Sequence, residues 1–335
     1  RQFLGFYISQ LIMGEDYFQP DAKYVEVYLN GEYQGLYLLA ESIEENENRL
    51  NVAACYEPEA PNTPFVTEVT FNEGYTVQEG REDMRFTVND TATYYFWPDY
   101  QRKLTTNVIY TLKYPEKFSN VSKIQAKYIK NTMNNLHENI KAGVDLEELG
   151  IDVQSFANYF LANELLYIAD FGTTSTYYYS DGDTVFAGPL WDFDMMSSYD
   201  PPDGFLQPET YAKPDNPLYR GLLKYPEFKE ALARRLGEVY PELVEAVRGK
   251  IDDMKNNELL ENAVNKHENL YRRNSRMDVR EEFYSQNPTI NNINSFAGHL
   301  EYLQGWLLDG LDIDGTWHEG RLEWLKNHIK ELGNE

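Results

Sequence analysis

Cysteine is almost absent from this chain: Cys55 is the only one in 335 residues, which excludes an intrachain disulfide and every multi-cysteine metal site. Histidine is scarce too. The five, His137, His267, His299, His318 and His328, lie scattered without the H-x-x-x-H spacing that sets two imidazoles on one helix face, so no histidine-built zinc site is expected. There is no G-x-S-x-G, and hence no nucleophile elbow. No apolar run reaches about eighteen residues and no basic-then-apolar leader is present, so neither a membrane span nor a signal peptide is expected within the sequence. Basic residues are outnumbered: 30 Lys and Arg against 55 Asp and Glu give a net charge of −25. That balance opposes nucleic acid and anionic lipid, because neutralising phosphates needs clustered cations. A basic protein is the kind of partner it attracts, although acidity also serves simply to keep a secreted protein soluble.

What is present is ample material for a core, with 42% hydrophobic residues and an aromatic share of 15%, dominated by 27 Tyr and 17 Phe. Length allows one large domain or two lobes. The opening R-Q-F-L-G-F-Y-I-S-Q-L-I-M has helical spacing, so the chain starts inside a helix and is expected to be part of a longer protein. Tyr24–Asn30 and Gly35–Glu41 alternate around Asn30-Gly31-Glu32, which predicts a hairpin with a tight Asn-Gly turn and a second irregularity at Gly35. Further strands are predicted at Phe65–Phe71, Met84–Val88 and Val108–Lys113. Ser119 or Ser122 is a candidate cap for a helix reaching about Ala142. Asp152 is the candidate cap of a second helix, which carries Phe156, Tyr159, Phe160 and Asn163 toward Asp170. Helical periodicity then marks 226–249, 251–272, 294–309 and Gly320–Leu332, and the proline-rich Asp200–Pro217 reads as a loop over a cleft.

The segment with the most chemistry is D-F-G-T-T-S-T-Y-Y-Y-S-D-G-D-T-V-F-A-G-P-L-W-D-F-D, from Asp170 to Asp194. Two β-rich runs, Thr174–Ser180 and Thr184–Leu190, flank the turn Asp181-Gly182-Asp183, which predicts a hairpin with carboxylates at its base. Such carboxylates repel one another unless a cation sits between them or one is protonated. The spacing of 22 residues from Asp170 to Asp192 and 24 to Asp194 fits a phosphoryl-transfer site, where a catalytic Asp, a short hairpin and a metal-binding Asp follow in order. Asp192 and Asp194, two apart, share a face if the segment is extended. Trp191 and Phe193 then face the core.

W-D-F-D after F-A-G-P, preceded by N-Y-F-L-A-N-E-L-L-Y-I-A-D at Asn158–Asp170, resembles the CotH family of spore-coat kinase-like proteins. A second block, V-E-V-Y-L-N-G-E-Y-Q-G-L-Y-L-L-A-E running on to N-R-L at Asn48–Leu50, is similar to the same family, as is K-Y-P at Lys113–Pro115. The resemblance implies an atypical, secreted or surface-associated protein kinase using ATP and Mg²⁺ at the cell or spore surface. It implies an α+β, two-lobed protein-kinase-like fold, with a β-rich N-terminal lobe over 1–141 and a mainly helical C-terminal lobe over 142–335. Upstream strands and an export signal would then lie outside the sequence.

On that reading Asp170 orients the acceptor hydroxyl of a protein substrate, the alternative being a helix-terminating cap. Asp192 and Asp194 are the metal candidates. Lys113, at a strand end, is the candidate phosphate clamp; Arg49 is its rival, with Glu41 to orient it, against the alternative of ordinary surface ion pairs. Kinases place an Asn five residues after the catalytic Asp, and here that position is Ser175. Asn163 and Glu164 are substitutes for the missing oxygen ligand. Two other functions compete: a catalytically silent kinase-like surface module that binds protein or polysaccharide, and a glycosidase, which needs only two well-spaced carboxylates.

Overall fold

The computed structural model describes residues 1–52, 62–70, 85–95, 103–115, 123–168, 170–194, 196, 209, 211–212, 216–273, 293, 295–313 and 315–331. The helical spacing of the first residues forms α1 (Gln2–Met13), which buries Leu4, Phe6, Ile8, Ile12 and Met13. β1 (Ala22–Leu29) and β2 (Glu32–Ala40) form the antiparallel hairpin, with Asn30 at φ 51° and Gly31 at φ 82° making the turn. The register slips between Val27 and Tyr28, opposite Gly35, so the second irregularity is a bulge.

A five-stranded antiparallel sheet occupies the centre. Its strands are β3 (Phe65–Val69), β4 (Arg85–Tyr95), β5 (Lys103–Tyr114), β6 (Thr176–Ser180) and β7 (Val185–Ala187), in the order β4-β5-β3-β6-β7. Strand alternation sends Phe65, Val69, Tyr110, Leu112 and Tyr178 into the main core and Val66 and Tyr177 into a smaller cluster with Leu50 and Val52, and the register shift between Val66 and Thr67 turns Tyr114 into that cluster too. The helices follow: α2 (Lys123–Ala142), α3 (Val153–Leu166), α4 (Tyr219–Leu222), α5 (Pro226–Lys255), α6 (Glu258–Arg273) and α7 (Phe296–Gln304), which runs into a π-turn at Gly305–Asp309. A short hairpin of β8 (Leu311–Ile313) and β9 (Thr316–His318) leads to α8 (Arg321–His328).

The architecture is mixed, with helical and sheet regions as an α+β fold requires. The expected division between 141 and 142 is crossed by the sheet itself, because β6 pairs with β3 from Phe65↔Ser180 to Val69↔Thr176. One core cluster also runs from Leu4 to Ile329. The break expected near Lys250 moves to Asn256, since Val247, Ile251 and Met254 continue the buried stripe of α5 and Gly249 opens onto no neighbour. Asp152 caps α3 as expected, accepting from the Ser155 N–H at 2.6 Å. Ser119, Ser122, Phe71, Met84 and most of the stretch Asp200–Pro217, expected to be a loop, lie outside the described residues.

A buried polar knot fastens α2 to the sheet. His137 Nδ1 and Asp90 Oδ2 lie 2.8 Å apart, and His137 Nε2 and the Tyr110 hydroxyl are equally close. Lys141 pairs with Asp90 at 3.0 Å, and Arg220 pairs with the same oxygen. Burial pushes the Asp90 carboxyl up, but the hydrogen bonds and charges of His137 and Lys141 outweigh it and hold the pKa at about 2, below its ordinary 3.8. Burial also lowers the His137 pKa, against the pull of Asp90. Both folded-state values are depressed, so both contributions are complete at neutral pH and are lost on acidification. His137 costs stability once the pH falls below its ordinary 6.5, and Asp90 adds a further loss from 3.8 toward 2. Thermal unfolding across pH 7 to 2 should show this two-stage fall. With Asp90→Asn, the lower stage, worth on the order of 2 kcal/mol, should vanish.

Candidate active site

α3 is buried from Ser155 to Leu166 and ends where Tyr167 turns left-handed, at φ 53°. The next turn carries Asp170, whose carbonyl accepts from the N–H groups of Thr173 (2.9 Å) and Thr174 (3.1 Å) and from the Thr173 hydroxyl (2.7 Å). Its half-buried side chain is thus mounted on a turn fixed at three points. Gly172, at φ 80°, is needed here, since a Cβ would stand 2.0 Å from Asn216 Nδ2. Gly172→Ala should therefore destabilise the turn by roughly 1–3 kcal/mol, read from the denaturant midpoint.

β6 and β7 then form the expected hairpin, and a side-chain contact joins the two segments at its base. The Ser175 hydroxyl donates to Asp192 Oδ2 at 3.1 Å. Both residues sit in the left-handed region, Ser175 at φ 48° and Asp192 at φ 67°. Non-glycine residues there cost on the order of 1–3 kcal/mol each and persist where their surroundings fix them. The position five residues after Asp170, which holds the second oxygen ligand in kinases, therefore lies against Asp192 with a hydroxyl in place of an amide.

Two expectations for this segment fail. Asp192 and Asp194 do not share one face of an extended strand, because the positive φ of Asp192 breaks the two-residue period; Asp192 is half-buried and Asp194 exposed. Nor do three carboxylates gather about one ion: among the described residues, no three His, Cys, Asp or Glu side chains form a metal-holding group. Trp191 and Phe193 do pack inward, Phe193 fully buried in the main core and Trp191 partly buried between the two clusters.

Lys113 lies on β5 and pairs with Glu68 of β3 at 2.5 Å. Glu68 stands opposite Tyr177, two residues after Ser175. Burial raises the Tyr177 pKa first, and the charges of Glu68 and Asp192 raise it further. Lys113 is thus linked toward the hairpin base through Glu68 and Tyr177. Arg49 is not: it pairs locally with Glu44 and donates to the Ser42 hydroxyl at 3.0 Å. Glu41 does not orient it. As the hairpin's last residue it faces the chain entering β1, and its carboxylate accepts from the Asp21 N–H at 2.9 Å.

Asn163 and Glu164 are also committed elsewhere. Asn163 Nδ2 donates to the Tyr159 carbonyl at 2.8 Å, a bond within α3. Glu164 is buried with Arg321, 3.0 Å away, and also accepts from the Ala212 N–H at 2.8 Å. Sequence reading missed both Glu68 and the Glu164–Arg321 pair; their partners lie 45 and 157 residues away, beyond any local pattern.

The donor set fits a nucleotide-borne Mg²⁺ better than a free ion. Mg²⁺ is commonly held by one or two carboxylates together with substrate phosphates, and Asp192 presents one oriented carboxylate rather than a cage. No curated protein matches the chain. A family model described as CotH kinase protein matches residues 8–310, nearly the whole length. With that coverage, spanning both the hairpin of β1 and β2 and the hairpin that carries Asp192, the chain belongs to the CotH kinase family.

Proposed function

We propose that this protein is an atypical protein kinase that transfers the ATP γ-phosphoryl group to Ser or Thr hydroxyls of a protein, acting at the cell or spore surface. The observation that carries the reading is the Ser175–Asp192 contact, which closes the hairpin base and presents one carboxylate from a strained backbone. Asp170, on its pinned turn, accepts the proton of the attacking hydroxyl. The new P–O bond forms as the bond between the γ-phosphorus and the β–γ bridging oxygen breaks, and ADP leaves. Asp192 would hold the metal–nucleotide complex, with Asp194 two residues on as the second carboxylate of the segment. Bound Mg²⁺ supplies charge neutralisation on the phosphates. Lys113 exchanges part of its pairing with Glu68 for a phosphate oxygen, while Arg49 and Glu41 take no part. The −25 charge favours a basic acceptor protein.

Ser175, held against Asp192 where an amide ligand would stand, favours a second reading, a kinase-like surface module without turnover. A thermal shift separates the two. Millimolar ATP with Mg²⁺ should raise the unfolding temperature, and Lys113→Met should reduce that rise measured against its own ligand-free form, which loses some stability as well because Glu68, only 14% exposed, is left without its cationic partner. No shift with ATP in the wild type would favour the silent module.

A further inference from the structure

We propose that Gln2, in the first turn of α1, is a positioning residue that aims the Asp192 carboxylate; the inference rests on the phosphotransferase reading above. The Gln2 side chain meets the W-D-F-D segment with both ends of its amide. Oε1 accepts from the Phe193 N–H at 3.1 Å, and Nε2 reaches Asp192 Oδ1 at 3.5 Å. The other carboxylate oxygen, Oδ2, takes the Ser175 hydroxyl. The two oxygens of Asp192 are therefore addressed from two separate elements, α1 on one side and the hairpin base on the other.

The rest of α1 is built to hold that amide in place. Gly5 lies against Phe193 so closely that a Cβ would stand 2.2 Å from the ring's Cγ. Phe6 meets Phe193 and Trp191 edge-on, with centroids 5.0 and 5.5 Å apart. The far end of α1 is tied down as well. Arg235 donates to the carbonyls of Ile12 (2.8 Å) and Leu11 (3.2 Å), and Asn158 donates to that of Met13 (3.1 Å). α1 is thus a strut from α3 and α5 to the loop bearing Asp192. A backbone at φ 67° needs such support, because its strain otherwise relaxes and the carboxylate turns away. Groups that orient a metal-binding side chain typically govern affinity by tenfold or more.

The test is Mn²⁺ uptake in the presence of ADP, followed by the loss of the free-ion electron paramagnetic resonance signal, alongside thermal unfolding without metal. Gln2→Met, close in volume but unable to make either bond, should weaken Mn²⁺ binding about tenfold. Gln2→Asn, one methylene short, should also weaken it and serves if the first variant folds poorly. Ser9→Ala removes a bond inside α1, to the Phe6 carbonyl, without touching the loop, and should leave Mn²⁺ affinity unchanged. Wild-type affinity in both Gln2 variants, with binding lost in Asp192→Asn, would overturn the positioning role and leave the phosphotransferase reading standing. A loss in Ser9→Ala equal to that in Gln2→Met would assign the effect to helix stability and overturn it too. Absence of Mn²⁺ uptake by the wild type would remove the phosphotransferase reading, and the inference with it.

Discussion

Asp170→Asn should cut phosphate transfer by about 10²–10⁴-fold, the usual contribution of a positioned general base. The substitution keeps the shape of the side chain and leaves in place the three bonds that Thr173 and Thr174 make to the Asp170 carbonyl. What is lost is a group able to accept the hydroxyl proton. The rise in unfolding temperature with Mg²⁺ and ATP should therefore remain in Asp170→Asn. In Asp192→Asn both the transfer and the rise should fall, because that residue is assigned to the nucleotide's metal. Transfer rates with γ-labelled ATP, set beside the thermal shifts, separate the two roles. A loss of nucleotide binding in Asp170→Asn would show that the roles are misassigned.

Arg321→Met should destabilise the fold by about 3–5 kcal/mol, because it strands the Glu164 carboxylate in the interior. Both side chains of this pair are fully buried. Arg321 also donates through Nε and Nη2 to the Glu164 carbonyl, at 3.0 and 2.9 Å, and its guanidinium lies about equally far from the rings of Tyr167 and Trp324. Burial lowers the Arg321 pKa, opposed by the charge of Glu164. The double variant Glu164→Leu/Arg321→Met should lie closer to wild type than Arg321→Met alone, since two apolar groups leave no orphaned charge. Urea denaturation of the three proteins measures this. Because Glu164 sits in the last turn of α3, six residues before Asp170, the single variant should also loosen the turn that carries Asp170.

Local chemistry made some of this legible in the sequence. Asn30-Gly31 specified the first hairpin, Gly35 its bulge, and Asp181-Gly182-Asp183 the second hairpin, because each depends on the conformational freedom of a few adjacent residues. Asp152 announced α3 for the same reason. The pairing of β6 with β3 could not be read, since both strands are equally plausible alone and their partners are more than a hundred residues apart. The period-two argument for Asp192 and Asp194 failed on a single torsion, a positive φ that is uncommon outside glycine although Asp adopts it more readily than most residues. Glu41 and Arg49 looked like a pair by proximity in sequence, yet each found a nearer partner at its own end of the loop. Glu164 read as a substitute metal ligand and His137 as one of five scattered histidines, whereas the buried ion pair and polar knot they form arise only from tertiary packing.

The most direct measurement is incubation of the wild type, Asp170→Asn and Asp192→Asn with γ-labelled ATP, Mg²⁺ and a lysine-rich acceptor protein. Label should appear on Ser or Thr of the acceptor with the wild type and fall to background with either variant. Label that passes to the acceptor undiminished by both substitutions would contradict the assignment of chemistry to the base of this hairpin.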